Sequence, residues 1–390
     1  MWRYIGFFSG LYFIQGAVLA YIVNFQKPFL ASQGVSKETL GIFTSLLLIP
    51  FILKVGLGML SDRLPLGRLG SRKPYMALGL GLFAFCYLRL SQLQPGQGFL
   101  MFALWTWLAS LGLALFDTCA DGWAVDVASE REQGALQASM VAGKSLGLIL
   151  MSYLFGQWAQ VRGYSVIFQT LVGLGLAVLV LVLLTPHRPR SRAEERGVMG
   201  QWRDLLQPFY LVFAAFGVVY SLASFGTDGL VTLHLSEQHG ADASMLGLYG
   251  MARGCGALLG AGSYALLNAR LGLKRAQVIA LMLLGLGCLL PIAGWPVAVS
   301  GVLWGLAWGF QETAFVTLAM RYAEGPWAAS FFALSMIFSN VGTALGEALA
   351  APLVPRLGYA GVFFGLAMVA WSALLFVPAM LRPAPESSAS

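Results

Sequence analysis

The stretch MFALWTWLASLGLAL (101–115) carries no charge across fifteen residues, and FDTCADGWAVDV (116–127) follows it with three aspartates. An apolar run of this length is half or more of a bilayer crossing at about 1.5 Å per residue, so the acids Asp117, Asp121 and Asp126 fall within or just at the end of a span. The same texture extends along the chain. Of 390 residues 58% are hydrophobic and only 11% charged, and mean hydropathy is +0.74. Soluble domains carry about 25% charged residues, so lipid is the solvent this composition suits. Lipid offers backbone amides no partners, so each run must be helical, and the short alternating segments of a β-barrel are absent.

Twelve spans are expected, near 4–24, 38–61, 73–93, 98–126, 135–158, 163–184, 206–235, 243–266, 274–293, 296–323, 326–350 and 357–380, with Gly and Pro punctuating the turns as in QLQPGQG and AGWPVA. The expected fold is an all-α integral membrane protein of two pseudo-symmetric six-helix bundles. The first covers 1–185 and the second 205–382, with a cytoplasmic linker at 186–204 and a disordered tail at 383–390. Direction follows from the loops. Sixteen of the 24 Lys and Arg lie on the side of the N-terminus; Lys27, Lys37, Arg162 and Arg356 lie opposite; Lys54, Arg89, Lys144 and Arg253 fall within spans. By the positive-inside rule both termini are cytoplasmic. The first apolar run reads as a span, too long for a cleavable leader and followed by no small-residue cleavage site. Short loops without N-x-S/T sites suit a bacterial inner membrane.

Several function classes are excluded. The net charge of +7 sits in short loops between apolar runs, which argues against nucleic acid. Cys86, Cys119, Cys255 and Cys288 lack CxxC spacing and read as packing residues, and the three histidines form no metal-binding pattern. No nucleophile is paired with a base, and no P-loop is present, so neither an enzyme nor an ATP-driven pump is expected, and no cofactor. The two halves repeat a helix–basic turn–helix layout, in GMLSDRLPLGRLGSRKPYM and in GSYALLNARLGLKRAQVIA. Duplicated halves of this kind argue for a secondary transporter with its site at mid-membrane; the alternative is a non-transporting membrane assembly factor on the same fold.

Gly58, Asp62, Arg63, Gly67, Arg68, Arg72 and Lys73 give the loop after span 2 a shape that resembles the major facilitator superfamily. FDTCADGWAVDVASEREQGALQASMVAGKSLG is similar to spans 4 and 5 of the branches that include muropeptide permeases and acetyl-coenzyme A transporters, with folate–biopterin transporters nearby. Asp117, Asp121, Gly122, Trp123, Glu132, Gln133 and Gly134 match, and Lys144 stands where those branches carry Arg. The resemblance implies alternating access and an anionic or amphiphilic metabolite as solute. It also implies a latching role for Asp62 near the end of span 11, with Arg63, Arg68 and Arg72 supporting it or facing anionic lipid.

Asp117 lies about 13 Å inside its helix end. A charge so deep costs about 2.5–3.5 kcal/mol on insertion scales and marks a cavity or a partner. Lys144, at matching depth on the next span, is the expected partner, either as a fixed pair or as a site whose pairing changes. Asp126 is expected in interfacial water. Glu312 in WGFQETAF echoes Asp117 in the second half. A carboxyl in an apolar cavity can hold and release a proton, so Asp117 and Glu312 lead the coupling candidates. Proton coupling is the expected energy source, with sodium coupling and uniport as alternatives. Asp121, Lys54, Arg253, Gln15 and Gln311 are further substrate or coupling candidates. Asp228, flanked by Gly226 and Gly229, is either an outer-gate residue or merely exposed. Expected partners are a small solute, protons and lipid, and the expected state is a monomer.

Overall fold

In the computed structural model of the chain, residues 2–63, 72–127, 130–186, 208–322 and 328–380 are described. Among them every regular element is helical. α1 (Trp2–Tyr21) runs into a π-helical turn (Ile22–Gln26) and α2 (Lys27–Ser32); then come α3 (Lys37–Leu46), α4 (Ile49–Ile52), α5 (Lys54–Arg63), α6 (Lys73–Leu90), α7 (Pro95–Val127), α8 (Glu130–Arg162) and α9 (Ser165–Leu184). The second stretch holds α10 (Pro208–His239), α11 (Ala243–Leu271), α12 (Leu273–Leu289), α13 (Val297–Tyr322), α14 (Ala328–Ser372) and α15 (Val377–Met380). Among the described residues, eight helical stretches are long and apolar enough to cross a membrane. Leu100, Val161, Leu184 and Leu375 stand largely exposed, a surface that suits acyl chains and not water.

Local sequence explains the ends and breaks. Ser36 caps α3, its hydroxyl accepting from the Thr39 amide at 3.2 Å. Pro50 sits in the first turn of α4, and Leu53 leaves helical geometry just before Lys54 opens α5. The longest apolar stretch, Leu334–Met380, is broken at Gly358, whose φ of 67° only glycine adopts without strain. One expectation is corrected: the first span does not end near 24 but continues through the π turn to Ser32, because Pro28 sits in the first turn of α2 and so starts a helix without breaking one.

The chain forms two compact units. The first comprises Met1–Glu195 with Asp228–Gly254 and Pro296–Gly301; the second comprises Arg196–Thr227, Cys255–Trp295 and Val302–Ser390. In the first unit α1 lies on α8, and α6 lies between α7 and α9. The α1–α8 contact has no room for side chains: a Cβ on Gly143 or Gly147 would overlap the carbonyl of Ser9 or Phe13. In the second unit the same seam recurs, Gly342 and Gly346 of α14 meeting the carbonyls of Val218 and Leu222 on α10. In lipid, such close backbone approach supplies the dispersion contact that a hydrophobic effect cannot.

Candidate functional site

Asp117 and Asp121 lie one turn apart on α7, so they face the same neighbours. The Gln15 amide of α1 donates to Asp117, and the Tyr12 hydroxyl, one turn earlier, donates to Asp121. The ammonium of Lys54 contacts Asp117 and lies 3.4 Å from Asp121. The kink at Leu53 places Lys54 at the first position of α5, with its ammonium 5.8 Å from the Phe51 ring centre. Exposure separates the two acids: the Asp117 side chain is 9% exposed, Asp121 is 49% and Lys54 is 31%. Two carboxylates therefore share one ammonium, the first of them buried and the second half exposed.

The sequence reading gave Asp117 a different cation. Lys54 fills that place, while Lys144 lies on an exposed part of α8. The spacing of Tyr12 and Gln15 was the missed signal: two polar side chains three apart on the face of α1 that meets α7.

A second cluster corrects the reading of Asp126 as a residue left in water. Arg72 donates to Asp126 at 3.3 Å and to the Ser61 hydroxyl at 3.1 Å, and it is largely buried. Gly122 makes this possible, because the guanidinium occupies the space a Cβ would take. Beside it, Lys73 donates to the Leu183 carbonyl at 3.3 Å and lies 5.9 Å from the Trp123 ring centre. A Cβ added to Gly58 would just reach Thr118 of α7. Gly67 and Arg68 lie outside the described residues, as do the side chains of Asp62 and Arg63.

At the other end of the first unit, Asp228 of α10 and Arg253 of α11 form an ion pair at 2.6 Å, each side chain 3% exposed. Asp228 is thus not a solvated residue. Lys27, counted from sequence among the loop cations, is buried and donates to the Gly229 carbonyl at 2.8 Å. It is buried because α1 does not stop where the apolar run does. Around this pair Thr232 donates to the Val23 carbonyl at 3.1 Å, Asn24 to Ser152 at 2.8 Å, and Lys37 pairs with Glu237 at 2.6 Å. Gly156 of α8 and Gly247 of α11 touch backbone to backbone. The end of α1, α8, and the adjoining parts of α10 and α11 are closed against one another.

In the second unit the Tyr220 hydroxyl of α10 lies 3.2 Å from Ser339 and also faces Glu312, and Ser221 lies 2.7 Å from Ser339. Gln311 accepts from Gln277 at 3.3 Å, and both are fully buried, so this amide joins two helices. A tyrosine on one helix thus meets an acid on another in each of the two units.

Comparison with known proteins gives the family and the fold. The anhydromuropeptide permease of Escherichia coli (strain K12) is 25% identical over 354 residues, which span 85% of this chain and 70% of that protein. The folate-biopterin transporter of Synechocystis sp. (strain ATCC 27184 / PCC 6803 / Kazusa) is 25% identical over 283 residues, 67% of this chain and 54% of that one. The crystal structure of the nucleoside transporter NupG (D323A mutant) superposes with a TM-score of 0.79 over 97% of this chain and 100% of that one; at 14% identity it shares the fold. The permease and the folate-biopterin transporter fall in the branches that the motifs at 58–75 and 116–147 resemble. The profile of the Major Facilitator Superfamily matches residues 8–230, more than half of the chain, and the protein belongs to that superfamily, a family of integral membrane transporters and not of enzymes.

Proposed function

We propose that this protein is a proton-coupled secondary transporter of a small anionic or amphiphilic metabolite. It works as two six-helix halves, 1–185 and 205–382, joined by the linker at 186–204. Both termini face the cytoplasm of a bacterial inner membrane, and the protein acts as a monomer. The observation that carries the reading is the triad of a buried Asp117, a half-exposed Asp121 and Lys54, set among apolar helices and held by Tyr12 and Gln15. A scaffold gains nothing from two carboxylates on one lysine in a low-dielectric wall, where each charge costs several kcal/mol unless matched, about the scale of the insertion penalty. A transporter uses the imbalance, because protonation and pairing differ between states. Glu312, facing Tyr220 within the second unit, is the second coupling acid.

With the N-terminus inside, the closed contacts of α1, α8, α10 and α11 form the outer gate. Asp228, Arg253 and Lys27 are its buried charges, and Lys37 with Glu237 its rim. Arg72 with Asp126 braces the cytoplasmic end; the resemblance to the superfamily gives Asp62, supported by Arg63 and Arg68, the part of a latch. A solute is found by thermal-shift screening of the purified protein against muropeptides, sugars, nucleotides and drugs, since a ligand that binds the folded state raises its melting temperature. In proteoliposomes loaded with that solute or exposed to it, Asp117→Asn and Glu312→Gln each lower proton-driven flux tenfold or more. Wild-type flux in both variants removes the coupling assignment.

A further inference from the structure

The triad on α7 and α5 has one charge too few on the positive side. Asp117 and Asp121 as carboxylates outnumber the single ammonium of Lys54. One added proton balances the site, and the two acids are not equivalent takers. Asp117 is nine-tenths buried, holds Lys54 in direct contact and accepts from Gln15. A proton placed there strips Lys54 of its closer partner and leaves a buried ammonium underpaired, the arrangement that costs most. Asp121 is half exposed, lies 3.4 Å from Lys54 and meets the Tyr12 hydroxyl. A hydroxyl both donates and accepts, so Tyr12 turns to accept from a protonated Asp121 and no group loses its partner. The charged or titratable groups facing this carboxyl are Tyr12 from α1, Lys54 from α5 and Asp117 one turn earlier. One residue further along, Arg72 from the start of α6 lies on Gly122 and is bound to Asp126.

We propose that Asp121 is the seat of the exchangeable proton, and that Lys54 is a positioning residue that keeps Asp117 ionised. This rests on the proton-coupled reading above and divides its labour. The second unit holds a similar contact, Tyr220 facing Glu312, so a tyrosine meets an acid in each unit.

The test needs no substrate. Protons are the probe, and the readout is the infrared carbonyl stretch of protonated carboxyls during a pH titration of the purified full-length protein. Asp121→Asn removes a titrating carboxyl that the wild type shows. Tyr12→Phe moves the frequency of that band, because it deletes the hydrogen bond to Asp121, and Gln15→Leu leaves the frequency unchanged. Lys54→Met doubles the number of carboxyls that titrate at this site, because Asp117 loses its cation. The reverse pattern, with Gln15→Leu shifting the band and Tyr12→Phe not, places the proton on Asp117 and overturns the inference. So does a Lys54→Met variant with one unaltered band, or a wild type in which Asp121→Asn removes nothing. Tyr12→Phe and Gln15→Leu are conservative enough to fold should the charge variants fail, and each is checked by melting temperature. If the band behaves as expected but flux ignores a pH gradient, the proton seat stands and the coupling reading falls. If flux follows the gradient and the band pattern is reversed, only the seat is lost.

Discussion

Gly122 shows how one side chain's absence sets another's position. Its missing Cβ is where the Arg72 guanidinium lies, and only from there does Arg72 reach Asp126 and Ser61. A Gly122→Val variant forces the planar group off the helix and leaves Asp126 without its cation. It should lower thermal stability by an amount typical of overpacking, about 1–3 kcal/mol. Asp228 and Arg253 pose the complementary question, because both are desolvated and each is the other's charge. Removing one partner of a buried pair costs about 3–5 kcal/mol, whereas removing both with apolar substitutes is close to neutral. Asp228→Leu and Arg253→Leu should therefore each melt well below wild type, and the double variant above either single. A double variant that melts at the sum of the two losses would falsify mutual compensation.

At the scale of elements, the α1–α8 and α10–α14 seams are built alike, one in each unit, with different side chains set beside them. Both seams are built from glycines four apart, laid against carbonyls four apart on the partner helix. They fix the rotation of α1 and α10, and so decide that Tyr12 and Gln15 look toward α7 and that Tyr220 looks toward Glu312. Gly143→Leu or Gly147→Leu must separate α1 from α8 by several ångströms, in a medium with no hydrophobic drive to hold them. Either variant should lose the monodisperse peak of the purified protein in size-exclusion chromatography, while Gly81→Leu, where a Cβ meets nothing, should keep it. The π turn at Ile22–Gln26 belongs to the same logic. It carries α1 past the end of its apolar run, turns Asn24 toward Ser152 and sets Lys27 on the Gly229 carbonyl. Single π turns inside α-helices are often found at functional positions.

For the whole molecule, alternating access requires the closed contacts of α1, α8, α10 and α11 to part and re-form. Lys37 and Glu237 are accessible enough to test this, at 24% and 30% side-chain exposure. In a Lys37→Cys/Glu237→Cys variant, a short bifunctional thiol reagent with a cleavable disulfide should abolish solute flux. Reduction should restore it. Full flux in the cross-linked protein shows that this end does not open. Lys54, in place of the expected Lys144, is the cation in contact with Asp117, so it is a charge of α5 that meets α7 here.

What the sequence by itself determined is whatever depends on local composition: that the chain lives in lipid, that its elements are helical, roughly where they begin and end, and, through two short motifs, the superfamily. These follow because burial in hydrocarbon and backbone hydrogen bonding act residue by residue along one helix. Tertiary structure decided the partners. Depth along a helix is legible as a count of residues, and so Asp117 and Lys144 seemed matched. Which side chains meet depends also on how each helix is rotated and kinked, and here the break at Leu53, the glycine seam of α8 and the room above Gly122 assigned Lys54 to Asp117 and Arg72 to Asp126. A charge in a low-dielectric medium takes the nearest opposite charge that geometry allows, and that geometry is a property of several helices together.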